Sequence, residues 1–226
     1  MGYPTPSLFS LLDVWCDNRM IRDVAGIILA GGKSRRMGED KRFLQVGDVS
    51  LFERSLAVLR SVVQDVLVVV AQDSAPFRAD VPVIRDLVPD CGSLGGLYTG
   101  LKEASAPYVF VVACDMPFLN PRAVQYVIDL RKQADVVMAR LNEGLQPMHA
   151  CYSQRCLPVM EAMVKAGELK IQKIVKHPDL TVRFITEVEL GQIDPEGRSF
   201  LNINTPSDLE AARMLYARSA DRGLSE

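Results

Sequence analysis

The sequence predicts an α/β fold: a single three-layer α/β/α domain built around a mostly parallel, doubly wound sheet. Two observations predict it. Short apolar runs of strand length, Ala25 to Ala30, Val66 to Ala71 and Tyr108 to Cys114, alternate with longer segments of helical spacing. The runs are almost continuously apolar instead of alternating, as expected of parallel strands covered on both faces. The chain's 226 residues, 48% of them hydrophobic, supply a sizeable core. No repeat, low-complexity tract or linker divides it.

Residues 1 to about 22 lack periodicity, carry Pro4 and Pro6, and are read as an N-terminal appendage to a domain over 23–226. Met20 stands just ahead of the first apolar run and is the expected native start, so deleting residues 1–19 is expected to leave solubility and activity intact. The first strand is Ala25 to Ala30. Ser50 and Glu53 then make a capping box for a helix whose apolar side carries Leu51, Phe52, Leu56, Leu59, Val62 and Val63. Val66 to Ala71 is the second strand, nearly all β-branched, and Val81 to Arg85 a short third. From Ser93 to about Ser105, Leu94, Leu97 and Leu101 keep helical spacing while Gly95, Gly96 and Gly100 permit close approach of another backbone. After the strand Tyr108 to Cys114, Asn120 and Pro121 are an N-cap and first helical residue for a helix to about Ala134. Strands at Asp135 to Ala139, around Met148 to Tyr152 and at Thr181 to Thr186 follow, with a helix from Leu157 to about Ala166 among them. Thr205 and Pro206 open the closing helix, which runs to about Ser219 with Asp208 near its positive end.

Composition removes several function classes. Lys and Arg number 26 against 28 Asp and Glu, a net charge of −2, too balanced for a general binder of nucleic acid or of a membrane surface. The cysteines Cys16, Cys91, Cys114, Cys151 and Cys156 form no C-x-x-C pair and are odd in number, which argues against a disulfide framework or a zinc site. No stretch approaches the ~20 apolar residues of a transmembrane helix, and the patch Leu8 to Trp15 is broken by Asp13. A cytoplasmic location is expected. His149 and His177 have no spacing that suggests a metal pair and are read as structural.

The chemistry-bearing segment is Leu29-Ala30-Gly31-Gly32-Lys33-Ser34-Arg35-Arg36-Met37-Gly38, which leaves the first strand and continues to Asp40-Lys41. Gly31 and Gly32 let main-chain N–H groups approach an anion, and Arg35, Arg36 and Lys41 surround the turn with positive charge. A triphosphate suits such a turn; so does plain solvent around a basic rim. The G-x-x-x-x-G-K-[ST] and G-x-G-x-x-G fingerprints are absent. Asp115 ends a buried strand at the edge where open α/β sheets bind ligands, the edge at which the glycine turn also emerges. A carboxylate there can hold Mg²⁺ whose shell substrate phosphates complete, or it can cap an ordinary turn. Asp86 follows the short third strand. Asn202 and Asn204, two residues apart, face one side if the segment is extended.

The full string resembles the L-A-G-G-x-S-x-R-M-G-x-D-K signature of the molybdenum cofactor guanylyltransferases, within the wider GT-A-like nucleotidyltransferases. The likeness extends over most of the chain after about residue 22. Asp86 to Leu97 resembles the family's acidic residue and small-residue loop, with Gly92-Ser93-Leu94 where G-P-L is usual; Cys114-Asp115-Met116-Pro117 resembles its C-D-x-P, and Asn202 to Pro206 its N-x-N-T-P. The resemblance implies a Rossmann-like sheet and transfer of GMP from GTP to the phosphate of molybdopterin, with release of pyrophosphate. It implies catalytic roles for Arg36, Lys41 and Asp115. Leu29, Ala30, Gly31, Gly32, Lys41, Asp86 and Asp115 would bind the nucleotide, with Mg²⁺ on Asp115. On the acceptor side it implies His149, in Gln146-Pro147-Met148-His149, together with Asn202 and Asn204. Transient contacts with cofactor-biosynthesis proteins or acceptor molybdoenzymes follow from the same likeness.

A phosphate monoester acceptor is already largely ionised near neutral pH, its second pKa being about 6, so no general base is required. The protein's task is alignment and neutralisation of charge. Three alternatives stay open: a CTP-dependent molybdopterin cytidylyltransferase, a sugar- or polyol-phosphate nucleotidyltransferase, and a non-catalytic nucleotide-binding delivery protein. The cytidylyl and sugar-phosphate relatives commonly carry alanine at the position of Gly31, and the presence of Asp115, Lys41 and Arg36 argues against the last.

Overall fold

The computed structural model describes residues 20–31 and 40–223. The first strand, β1 (Ile21–Leu29), is followed by a small hairpin of β2 (Gln45–Val46) and β3 (Val49–Ser50). Strands β4 (Val63–Val70), β5 (Val83–Arg85), β6 (Tyr108–Ala113), β7 (Val136–Leu141), β8 (Gly144–Ser153) and β9 (Val182–Thr186) join β1 in one sheet. Its order is β5-β4-β1-β6-β8-β7-β9. Neighbours in it are parallel except for β8, which runs antiparallel to both β6 and β7. The helices are α1 (Leu51–Val62), α2 (Gly92–Glu103), α3 (Pro121–Asp129), α4 (Cys156–Lys165), α5 (Glu187–Gly191) and α6 (Pro206–Gly223).

Strand alternation divides the core into two layers. Val24, Ile28, Val66, Val68, Val70, Phe110 and Val112 face α1 and α3, meeting Phe52, Leu56, Leu59, Val124 and Val127. Ala25, Ile27, Leu29, Leu67, Val69, Val109 and Val111 face α2 and α4, meeting Leu94, Leu97, Leu101, Val159 and Met160. A third, smaller cluster seats α6 on the hairpin through Leu44, Val46, Leu51, Ile203, Leu209 and Ala212. The Arg54 guanidinium clamps it, donating to the Val46 carbonyl and lying 4.5 Å from the Tyr216 ring centroid.

Local signals act where the sequence placed them. Ser50 and Glu53 form a reciprocal capping box at α1, Asn120 caps α3 ahead of Pro121, and Thr205 with Asp208 caps the start of α6. Several elements differ from expectation. Val63, expected on the apolar side of α1, is instead the extended C-cap of that helix and the first residue of β4, which starts three residues before Val66. The α3 helix ends at Asp129 instead of near Ala134, and Arg131 in the following 3-10 turn reaches back to the Asp23 carboxylate of β1 at 2.9–3.1 Å. β1 begins at Ile21, four residues before the apolar run, with a register shift between Ile21 and Ala25 against β4. β8 starts at Gly144, not near Met148. It accommodates Pro147 because the β7–β8 register breaks between Met138 and Arg140, so proline's missing N–H falls at the irregularity. Among the described residues no helix is long and apolar enough to cross a membrane.

Candidate functional site

Register brings the two chemical segments together. Leu29 of β1 pairs with Ala113 of β6, and the Leu29 carbonyl accepts from Cys114 N at 3.1 Å. Gly31 and Asp115 therefore stand at equal distances past one paired position, on one edge of the sheet. On its other side Ala30 N donates to the Val69 carbonyl at 2.8 Å, which seats the turn against the end of β4. A Cβ on Gly31 would lie 2.7 Å from Ala71 N. Glycine is the residue that lets these two backbones meet.

Lys41 opens the 3-10 turn Lys41–Phe43, whose N-cap Asp40 accepts from Arg42 N and is ion-paired with the Arg42 guanidinium. That guanidinium is almost wholly buried and lies 4.7 Å from the centroid of Phe77. So anchored, the turn aims the Lys41 ammonium at Asp115 Oδ2, 2.9 Å away, and at Asn204 Oδ1, 3.1 Å away. Asn204 arrives from the far end of the chain. Asp115 O accepts from Ile203 N at 2.9 Å, and Asp208 accepts from the N–H groups of both Asn204 and Thr205 at 2.8 Å. Three segments separated by 74 and 163 residues thus converge on one charged cluster.

Beside it opens a cleft of about 770 Å³, lined by Leu29, Gly31, Gln72, Asp73, Asp86 and Ser93 among others, in the size range of small-molecule sites. Asp86 follows β5, its main chain tied to β4 through Asp86 N donating to the Val70 carbonyl at 2.8 Å. Asp86 Oδ1 accepts from Val88 N at 3.0 Å and from the Thr99 hydroxyl at 2.9 Å. α2 approaches this loop closely because it carries Gly95: a Cβ there would lie 2.8 Å from the Val88 carbonyl oxygen. Of the three glycines read from the sequence as allowing a close backbone approach, Gly95 does so; Gly96 and Gly100 instead make room for the Leu29 and Ile27 side chains of β1.

The remaining sequence-predicted residues fall differently. Gly32 and Arg36 lie outside the described residues. Asn202 does not join Asn204; its side-chain amide donates to the Phe200 carbonyl at 3.1 Å. The segment between them is not a strand, so the alternation that would have aligned the two side chains does not apply. His149 is completely buried on the face of β8 toward α3, its ring 5.1 Å from that of Phe110 and 4.6 Å from that of Phe200. It lines no part of the cleft. Burial lowers its pKa to about 4, outweighing the pull of its own main chain and of Asp194, so the ring is neutral. Cys114, beside Asp115, is likewise buried, and its thiol is pushed up to about 12 by burial and then by the Asp115 charge. It is a core side chain and no nucleophile.

Sequence reasoning missed Thr99, which holds Asp86, and Asp208's bonds to the Asn204 loop. The first left no local signal, since a threonine within an apolar helix face reads as filler. The second could have been found, because Thr205 and Asp208 have the spacing of a capping pair. Gln72 and Asp73, just past β4, were also passed over, although the carboxyl ends of strands are where such residues matter.

Among the described residues no three His, Cys, Asp or Glu side chains gather, so they supply no all-protein cage. Asp115 and Asn204 nevertheless direct two hard oxygens at one cation, the Lys41 ammonium. That donor set fits an ion such as Mg²⁺, which takes one or two carboxylates and completes its shell with water and phosphate oxygens.

The MobA-like NTP transferase domain family matches residues 26–182. A molybdenum cofactor guanylyltransferase of Desulfosudis oleivorans is 37% identical over 191 residues, covering 84% of this chain and 94% of its own. A probable molybdenum cofactor guanylyltransferase of Pelotomaculum thermopropionicum is 35% identical over 194 residues, covering 86% and 94%. Among solved structures, the molybdopterin-guanine dinucleotide biosynthesis protein A of Archaeoglobus fulgidus superposes with a TM-score of 0.75 at 25% identity, over 86% of this chain and 99% of its own.

Proposed function

The chain belongs to the MobA-like NTP transferase family, and on that premise we propose that it transfers GMP from GTP to the phosphate of molybdopterin, forming the guanine dinucleotide cofactor and releasing pyrophosphate. The observation that supports this most is the shared sheet edge: the Lys41, Asp115 and Asn204 cluster stands beside a cleft of nucleotide size. Curated relatives of that activity at 35% and 37% identity favour guanine.

In this reading the base and ribose occupy the cleft, where Asp86 accepts hydrogen bonds from the nucleoside. The Leu29-Ala30-Gly31 main chain, continuing into Gly32, borders the phosphates. Lys41, with Arg36, neutralises charge that accumulates on the α-phosphate and departing pyrophosphate, and such preorganised contacts are worth more in a water-poor site than in solution. The acceptor phosphate needs no deprotonation, so the residues act by alignment alone. Asp115 and Asn204 Oδ1 would hold Mg²⁺, which when bound supplies Lewis-acid charge to phosphate oxygens. The work is placed in the cytoplasm, with molybdenum cofactor proteins as transient partners and with neither nucleic acid nor membrane involved.

The test is pyrophosphate release from each of the four NTPs in the presence of molybdopterin. Release with GTP well above the others is expected. Preference for CTP would overturn the guanine assignment, and tight GTP binding with no turnover would return the chain to the class of delivery proteins.

A further inference from the structure

Thr99 lies in the middle of α2 and is fully buried, yet it is polar. Both hydrogen-bonding capacities of its hydroxyl go to one short loop: Oγ1 donates to Asp86 Oδ1 at 2.9 Å and accepts from Leu87 N at 3.0 Å. Val88 N adds a second donor to the same carboxylate oxygen at 3.0 Å. The other oxygen, Oδ2, stands 3.0 Å from where a Cβ on Gly95 would be, so the missing side chain gives it room. Among the described residues no hydrogen bond engages Oδ2. One oxygen is thus fixed by helix and loop while its twin stays available, on a residue that lines the large cleft.

We infer that Thr99 is a positioning residue of the nucleotide site, locking one Asp86 oxygen against α2 so that the other meets a hydroxyl or N–H donor of the bound nucleoside. This rests on the assignment of Asp86 to the nucleotide. A carboxylate held in a single rotamer loses no further freedom on binding, and that saving appears as affinity. Because the Thr99 hydroxyl bonds only the Asp86 loop among the described residues and makes no hydrogen bond to Lys41 or Asp115, its effect belongs to nucleotide binding and not to the transfer step.

Steady-state kinetics and GTP binding of the full chain test this with Thr99→Val, Thr99→Ser and Asp86→Ala. Thr99→Val removes the hydroxyl at nearly constant volume. It is expected to raise KM and Kd for GTP about tenfold, the scale of one ordered hydrogen-bonded side chain, with kcat changed less than about twofold on the same scale. Thr99→Ser, which keeps the hydroxyl, should restore the wild-type KM. In an Asp86→Ala background Thr99→Val should add nothing, since the group it acts through is gone. If Thr99→Val does not fold, Thr99→Ala demands no added volume and reads the same split. An unchanged KM in Thr99→Val beside a raised KM in Asp86→Ala overturns the inference alone. Additive effects in the double variant mark a merely structural role and also overturn it. No change in Asp86→Ala removes the Asp86 assignment itself.

Discussion

His149 should make folding stability fall steeply on mild acidification. Among the described residues neither ring nitrogen has a hydrogen-bond partner, and the ring is packed between Phe110 and Phe200. Burial lowers its pKa from 6.5 to about 4. Above pH 6.5 both folded and unfolded chains carry a neutral ring, so the full stability is present. As the pH falls from there the unfolded chain takes up a proton that the folded chain refuses, and stability declines until the folded pKa near 4 is passed. At 1.36 kcal/mol per unit the whole loss is about 3 kcal/mol, and between about pH 7.5 and 5 it amounts to about 2 kcal/mol. Ordinary carboxylates titrate mainly below this window. Urea unfolding at the two pH values measures the loss directly. His149→Leu, close in volume and unable to titrate, should remove that dependence and change stability at neutral pH by less than about 1.5 kcal/mol. A wild-type chain equally stable at both pH values, or a leucine variant with the same decline, refutes the reasoning.

Three further outcomes concern the site. Lys41→Ala should lower turnover on the order of 10² to 10³-fold, and Asp115→Ala should abolish metal-dependent turnover. Both variants should still fold and unfold cooperatively, with a lowered urea midpoint because each leaves the charge of a part-buried partner unpaired; near-normal turnover in both would remove these roles. Chelation of divalent cations should stop pyrophosphate release and added Mg²⁺ restore it, whereas full activity in chelator would leave Asp115 without a metal to hold. Gly31→Ala should destabilise the fold by about 1–3 kcal/mol and weaken GTP binding, since its Cβ would press on Ala71 N at 2.7 Å. Unchanged melting and affinity would show that the turn relaxes without cost.

Much of this molecule was legible in one dimension because the forces involved are short in range along the chain. The Ser50–Glu53 box, the Asn120-Pro121 and Thr205-Pro206 helix starts and the β-branched strands act within a few residues, and each stands in the fold where it was read. The meeting of Gly31 and Asp115 was also legible, since parallel strands deliver their carboxyl ends to one edge whatever their order. Even so, the Thr186–Glu189 capping box at α5 was in the sequence and was not used.

Other features depended on which distant surfaces met. No local pattern in Gly144-Leu145-Gln146-Pro147 announces a strand; β8 exists because β6 and β7 leave a gap that its backbone fills in antiparallel register. Asn204 reaches Lys41, and Asn202 does not, because α6 packs on the β2–β3 hairpin and sets the direction of the preceding loop. Thr99 became part of the Asp86 loop, and His149 a buried neutral ring, only when helices closed over the sheet. Sequence by itself determined the elements, their caps and the edge on which chemistry could gather, since these follow from propensities and strand direction. Tertiary structure alone decided which side chains share that edge and which are withdrawn from water, because burial and hydrogen bonding between remote segments are properties of packing and have no counterpart along the chain.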